Sequence, residues 1–182
     1  MGLVRPVIAI LLAVLVSRCA SSGAVPRPFP GDPNAPGTSE APSAPSRPRE
    51  AETPTPAAIA FRNGLAETAL SLRGRPYRSG GSDPKGFDCS GLVQYVFSRH
   101  GITVPREVRE QLRLGREVRL AAIDRGDLIF FAIGSTDASH VGVAVGGDEF
   151  VHAPSGKGVV RVEKFSAPYW ARRIVAIRRF TN

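Results

Sequence analysis

Few residues in this chain can do covalent chemistry: two cysteines, Cys19 and Cys89, and three histidines, His100, His140 and His152. Cys89 lies in "GFDCSGLVQYVF", where a polar Gly/Asp turn meets an apolar run. Three readings of it stand. It can be a buried thiol that packs like a small hydrophobe. It can pair with Cys19 in a disulfide, as exported chains often do. Or it is a nucleophile at a helix N-terminus, where the macrodipole and free amide N–H groups lower a thiol pKa and face a developing oxyanion.

The histidines bear on that choice. His140 opens an alternating segment, "HVGVAVG", and His152 closes the next one, "EFVHA". A cysteine, a histidine and a further polar group that orients the imidazole make a nucleophilic triad. His100 closes the segment that starts at Cys89, about 16 Å away at helical rise, and reads as a favourable charge at a helix C-terminus. Zinc held by Cys89, His140 and His152 is the competing chemistry, although the chain has no compact ligand pair such as CxxC or HxxxH.

These residues need elements to position them. "AIAFRNGLAETALSLRG" predicts a helix with Phe61, Leu65, Ala69 and Leu72 inward. "RPYRSGGSDPKGFD" reads as a loop, and "CSGLVQYVFSRHG" as a second helix burying Leu92, Val93, Val96 and Phe97. "REVREQLRLG" predicts a shorter helix with Val108 and Leu112 inward. The period then changes to two. "DLIFFAI" reads as a strand covered on both faces, followed by strands at "HVGVAVG", "EFVHA", "GVVRVEKF" and "RRIVAIRRF". Gly146-Gly147-Asp148 is the hairpin turn. Helices followed by an antiparallel sheet predict an α+β fold. On the first histidine strand, His140, Gly142 and Ala144 share one face. That face is expected to leave room for the Cys89 helix, and pairing through the turn puts both histidines on one side.

Composition divides the chain before any motif does. Ten of the sixteen prolines lie between Pro26 and Pro56. Residues 1–24 read as an export signal: Arg5, then the apolar run Val7–Val16, too short for a bilayer span of about 20 residues. Cys19 follows where a bacterial lipoprotein carries its acylated cysteine. Arg18 departs from the small residue usual before it, and cleavage near Ala24 is the other reading. Residues 25–56 are a Pro/Ala/Ser-rich disordered linker, a tether or a PxxP-type ligand. Residues 57–182 form one domain. The formal charge of +8 is dispersed rather than massed in one run. Nucleic acid is therefore a poor partner, and anionic envelope polymers suit the field better.

"DCSGLVQYVF", "RGDLIFF", "SHVGVAVG" and "FVHAPSGKGV" together resemble the NlpC family of bacterial cell-wall cysteine peptidases, and "PYWARRIVAIRR" resembles its Spr-type outer-membrane murein endopeptidases. The resemblance implies a papain-like α+β fold and hydrolysis of peptidoglycan stem peptides, with the bond between D-glutamate (through its γ-carboxyl) and diaminopimelate favoured. It implies Cys89 as nucleophile, His140 as general base and His152 as the orienting residue. Tyr77 matches a tyrosine that lines the site and completes the oxyanion hole. Asp88 and Ser90 match flanking positions that help bind substrate. Read on their own, Asp88 is an N-cap, Ser90 a first-turn residue and Tyr77 half-buried packing. The implied reaction passes through a thioester and requires no metal or organic cofactor. A non-hydrolytic peptidoglycan-binding module, or an amidase or acyltransferase on another envelope amide, is the alternative. Localisation follows as the cell envelope, facing the periplasm, with Cys19 a lipid anchor in the outer membrane. The sequence names no regulatory partner.

Overall fold

The computed structural model describes residues 53–155 and 158–180. The export segment, Cys19 and the linker up to residue 52 lie outside the described residues. The first helix, α1 (Pro56–Ser71), starts because Thr55 caps it, accepting from the Ala58 amide at 3.1 Å, and because Pro56 supplies a ready φ at its first position. It buries Leu65, Ala66 and Ala69, with Leu72 just beyond its end. Phe61 is only partly buried. Arg62 turns inward instead, pairing with Asp124 at 3.2 Å. A charge with a partner can take a core position that an apolar pattern does not reveal.

The expected loop holds a short hairpin, β1 (Ser82–Asp83) and β2 (Gly86–Phe87), that leads directly into α2 (Cys89–Ser98). Helix α2 buries Leu92, Val93, Val96 and Phe97, the stripe its spacing predicts. Helix α3 is a single turn, Val108–Gln111. Its buried residue is Gln111, not Val108 or Leu112, which are half-buried. The Gln111 amide donates to the Ser90 carbonyl at 3.0 Å and the Pro105 carbonyl at 2.8 Å, so hydrogen bonding rather than apolar burial anchors this turn.

Six antiparallel strands follow: β3 (Arg116–Glu117), β4 (Leu128–Phe131), β5 (His140–Gly146), β6 (Glu149–His152), β7 (Arg161–Lys164) and β8 (Ile174–Arg179), in the spatial order β3-β8-β4-β5-β6-β7. A 3₁₀ turn (Leu120–Ala122) and a one-turn helix, α4 (Pro168–Ala171), complete the set. The α+β expectation holds, and so does the turn: Gly146 pairs with Glu149, and Gly146 and Gly147 take φ of 116° and 58°. Strand β4 is buried along its whole length.

The two faces of the sheet carry different cores. Val141, Val143 and Val145 join Leu128, Phe130 and Val151 in one apolar cluster with α1 and α2. Ile129, Phe131, Ala144, Phe150, Ile177 and Trp170 make the other. This corrects the expectation for the Cys89 helix. It packs on the valine face, not on the His140–Gly142–Ala144 face. The space left by Gly142 is taken by the neighbouring strand: a Cβ there would sit 2.5 Å from Phe150 Cδ2 and 2.8 Å from the Val151 carbonyl. Small residues on a strand make room for whatever is nearest, and here that is an aromatic ring from β6.

Candidate active site

Asp88 begins the site. Its backbone is extended, and Oδ1 accepts from the Gly91 amide at 2.8 Å, so it is the N-cap of α2. Oδ2 accepts from the Gly80 amide at 3.0 Å and binds Arg106 Nη2. Gly91 lets the preceding loop come close: a Cβ there would lie 2.0 Å from the Gly81 carbonyl. Cap, glycine and hairpin thus fix the first turn of α2, and with it Cys89. The Ser90 hydroxyl is buried with these groups, accepting from Arg106 Nη1 at 2.6 Å. It does not line the cavity that Cys89 faces, so any effect of Ser90 on a substrate runs through Arg106 and Asp88. Sequence reading missed Arg106, whose only signal is one more arginine in a basic chain.

Cys89 is a free, half-buried thiol. Backbone amides of Val141, Ser90 and Cys89 itself face the sulfur. Burial and the Asp88 charge outweigh them and push the thiol pKa up. The amides at the helix end act in the expected, lowering direction, and desolvation acts against them.

His140 and Cys89 line one cavity of about 220 Å³ together with Tyr77, Asp88, Ile133, Ser139, Ala153 and Ser155. The two side chains reach it from different elements, the start of α2 and the start of β5. His140 Nε2 lies 2.8 Å from His152 Nδ1, and both rings are buried. Burial and the neighbouring His152 push His140 down to about 3. Burial likewise lowers His152, to about 4, with Glu163 opposing and Arg161 assisting the shift. The resting site therefore holds a neutral thiol and neutral imidazoles, in which His140 can accept a proton when the sulfur attacks.

The rings are walled by Trp170, stacked on His140 at 5.6 Å between centroids and edge-on to His152 at 5.0 Å. A second cavity, about 420 Å³, adjoins the first and is lined by His140, Ile133 and Ser155 as well as Arg161, Glu163, Tyr169 and Trp170. His100 lies apart: its Nε2 is 2.8 Å from Thr68 Oγ1, a bridge from the end of α2 to α1. Among the described residues, no group of three His, Cys, Asp or Glu side chains is placed to share a metal ion.

The sequence profile of the NlpC/P60 family matches residues 74–179, which span α2, the sheet and both histidines. The chain belongs to the NlpC/P60 family. Among NlpC/P60 relatives, it is 37% identical over 122 residues to the murein DD-endopeptidase MepS/murein LD-carboxypeptidase of Escherichia coli (strain K12), covering 66% of this chain and 64% of that one. It is 34% identical over 131 residues to a γ-D-glutamyl-L-lysine dipeptidyl-peptidase of Bacillus cereus (strain ATCC 10987 / NRS 248), covering 71% and 38%. The crystal structure of an NlpC/P60 family protein from Bacillus cereus ATCC 10987 superposes with a TM-score of 0.63 at 31% identity, covering 66% of this chain and 40% of that one. The chain thus spans less than two thirds of the length of each of these three relatives. The NlpC/P60 match bears out both the family resemblance and the α+β architecture read from the sequence.

Proposed function

We propose that this protein is a cysteine peptidase that hydrolyses amide bonds in peptidoglycan stem peptides. The observation that carries the reading is one cavity shared by Cys89 and His140, with His140 bonded behind it to His152. Cys89 attacks the carbonyl carbon, and His140 takes the thiol proton. The oxyanion is met by the Cys89 backbone N–H and the Tyr77 hydroxyl, each such donor being worth about 3–4 kcal/mol of barrier. His140 returns the proton to the departing amine, and water then releases the acyl group from the thioester. The amine leaves on the side of His140, so the larger cavity beside that ring suits the amine-bearing fragment. Asp88 serves as cap and as partner of Arg106 at the cavity edge.

The favoured bond joins the γ-carboxyl of D-glutamate to diaminopimelate; the Bacillus cereus relative is named for a γ-D-glutamyl bond too, there to L-lysine. The Escherichia coli relative, named as both a DD-endopeptidase and an LD-carboxypeptidase, favours a second reading in which the crosslink is cut. Digestion of purified, mass-defined muropeptides separates them. A product ending in D-glutamate supports the first, and resolved crosslinked dimers with intact stems support the second. Binding without new masses would make the domain a non-hydrolytic module.

We propose further that the protein works in the cell envelope. The apolar run before Cys19 supports export, and the Pro-rich spacer could reach on the order of 100 Å as polyproline II. That length suits a domain tethered by an acylated Cys19 at an outer membrane and working on the wall beneath. The intact mass of the mature chain tests it: a lipid-modified N-terminal Cys19 is expected, and an unmodified chain starting near Gly23 or Val25 would replace the anchor with free diffusion.

A further inference from the structure

His152 is fully buried, yet its Nε2 has no hydrogen-bond partner. The Glu163 Oε1 atom lies 3.5 Å away. Strand β7 supplies it: Glu163 pairs with Phe150 in register, two residues from His152 on the adjacent strand and within diagonal reach. The carboxylate is held from two other sides, by Arg161 at 2.5 Å and by the Trp170 indole N–H. Those partners keep it ionised against the cost of burial.

Two neutral imidazoles joined between His140 Nε2 and His152 Nδ1 admit two proton arrangements. In one, His140 donates from Nε2. His140 Nδ1 is then bare and can accept the thiol proton, and the His152 proton sits on Nε2, toward Glu163. In the other, His152 donates from Nδ1. His140 Nδ1 then carries the hydrogen, and a bare, buried His152 nitrogen faces the Glu163 carboxylate. Only the first arrangement leaves His140 a base, and only the first gives the buried Nε2 a charge-assisted acceptor.

We propose that Glu163 is a positioning residue: its carboxylate holds the His152 proton on Nε2 and so fixes His140 as the tautomer whose Nδ1 is free. It acts through His152 and touches no substrate atom in this role. The groups facing the histidine pair are Glu163 and Arg161 from β7, the Trp170 indole from α4, and Cys89 and Asp88 across the cavity from α2 and its cap. The kinetic consequence rests on the peptidase reading; the tautomer assignment does not.

The experiment therefore has two readouts on the full chain. Long-range ¹H–¹⁵N correlation of the imidazoles at pH 7 should show both His140 and His152 protonated at Nε2. In Glu163→Ala, His140 should gain the Nδ1–H form. Wild-type His140 already protonated at Nδ1, or a Glu163→Ala spectrum with unchanged tautomers, overturns the proposal. In muropeptide hydrolysis, Glu163→Ala should lower kcat by about ten- to a hundredfold with KM little changed. Glu163→Gln, which keeps the shape and an acceptor, should lose less and guards against a variant that does not fold. In the His152→Ala background, Glu163→Ala should have no further effect; an equal loss in both backgrounds would mean a structural role and overturn the proposal. A tautomer shift in a protein that hydrolyses no muropeptide would sink the peptidase reading and leave the Glu163 assignment standing.

Discussion

Asp88 and Arg106, eighteen residues apart, close one ion pair at the edge of the cysteine cavity. Arg106 also donates to Ser90, while Asp88 caps the helix that carries Cys89. The pair thus sets both the position of the sulfur and the charge beside it.

That charge gives the first prediction. Asp88 raises the Cys89 pKa, and Arg106 partly neutralises Asp88. Asp88→Asn keeps a capping side chain but removes the negative charge, so the pH midpoint for alkylation of Cys89 by iodoacetamide should fall. Arg106→Ala leaves Asp88 unpaired, so the midpoint should rise. Alkylation rates from pH 6 to 10 check both; shifts in the same direction would show that the ion pair does not govern the thiol.

The triad reading separates the histidines by function. Cys89→Ala and Cys89→Ser should lose at least about a thousandfold in muropeptide hydrolysis with unchanged circular dichroism. His140→Ala should match them. His152→Ala should lose less, about ten- to a hundredfold. His100→Ala should keep the rate and lose about 0.5–1.5 kcal/mol of stability with its bond to Thr68. Substantial turnover by either cysteine variant sinks the nucleophile assignment.

Acid should destabilise the fold through the buried imidazoles. Their folded pKa values, about 3 for His140 and about 4 for His152, lie below the ordinary 6.5. Below pH 6.5 the unfolded chain binds protons that the folded chain refuses, so stability rises with pH there. The contribution is complete above 6.5 and falls as the pH drops toward 4, by up to about 1.4 kcal/mol per pH unit for each ring. Urea unfolding at pH 7, 6 and 5 measures it. His152→Asn should flatten the dependence, and a slope unchanged by that substitution would place the titrating group elsewhere.

Asp127 should matter to stability without touching the reaction. It is fully buried and takes Arg179 Nε and Nη2 on its two oxygens, each at 2.7 Å, as well as the Asp124 amide at 2.9 Å. Asp127→Ala leaves a largely buried guanidinium unpaired and should cost about 3–5 kcal/mol. Urea midpoints show the loss, and kcat measured on the remaining folded fraction should stay near wild type.

Periodicity made the histidine hairpin legible. Strand β5 begins and ends where alternation places it, and the Gly-Gly-Asp turn carries the positive φ angles that glycine allows. The cap of α2 was legible for a similarly local reason, since an Asp before an apolar run offers its oxygen to the first amides. Long-range polar pairing was not. Nothing local marks Arg106, Gln111 or Glu163 as partners of buried groups, because each is selected by a group far along the chain. The helix went to the valine face for the same kind of reason: Phe150 claims the gap at Gly142, and only strand pairing brings it there. Gly91 is a halfway case. Its place in a motif was visible, but its cause, a carbonyl from Gly81 at the helix surface, was not.

The two imidazoles sit on one hairpin, twelve residues apart, whereas the thiol belongs to a helix far earlier in the chain. Hairpins close within about microseconds, but docking a distant helix onto a sheet must first overcome long loop-closure entropy. Nucleophile and base therefore meet only where α2 is docked on the sheet. A chain in which α2 has not docked keeps its thiol away from the base, so correct packing is a condition of activity for the enzyme we propose. Anything that loosens α2 from the valine face parts sulfur from imidazole without touching either residue, so turnover reports on the packing of a helix as much as on the chemistry of its first side chain.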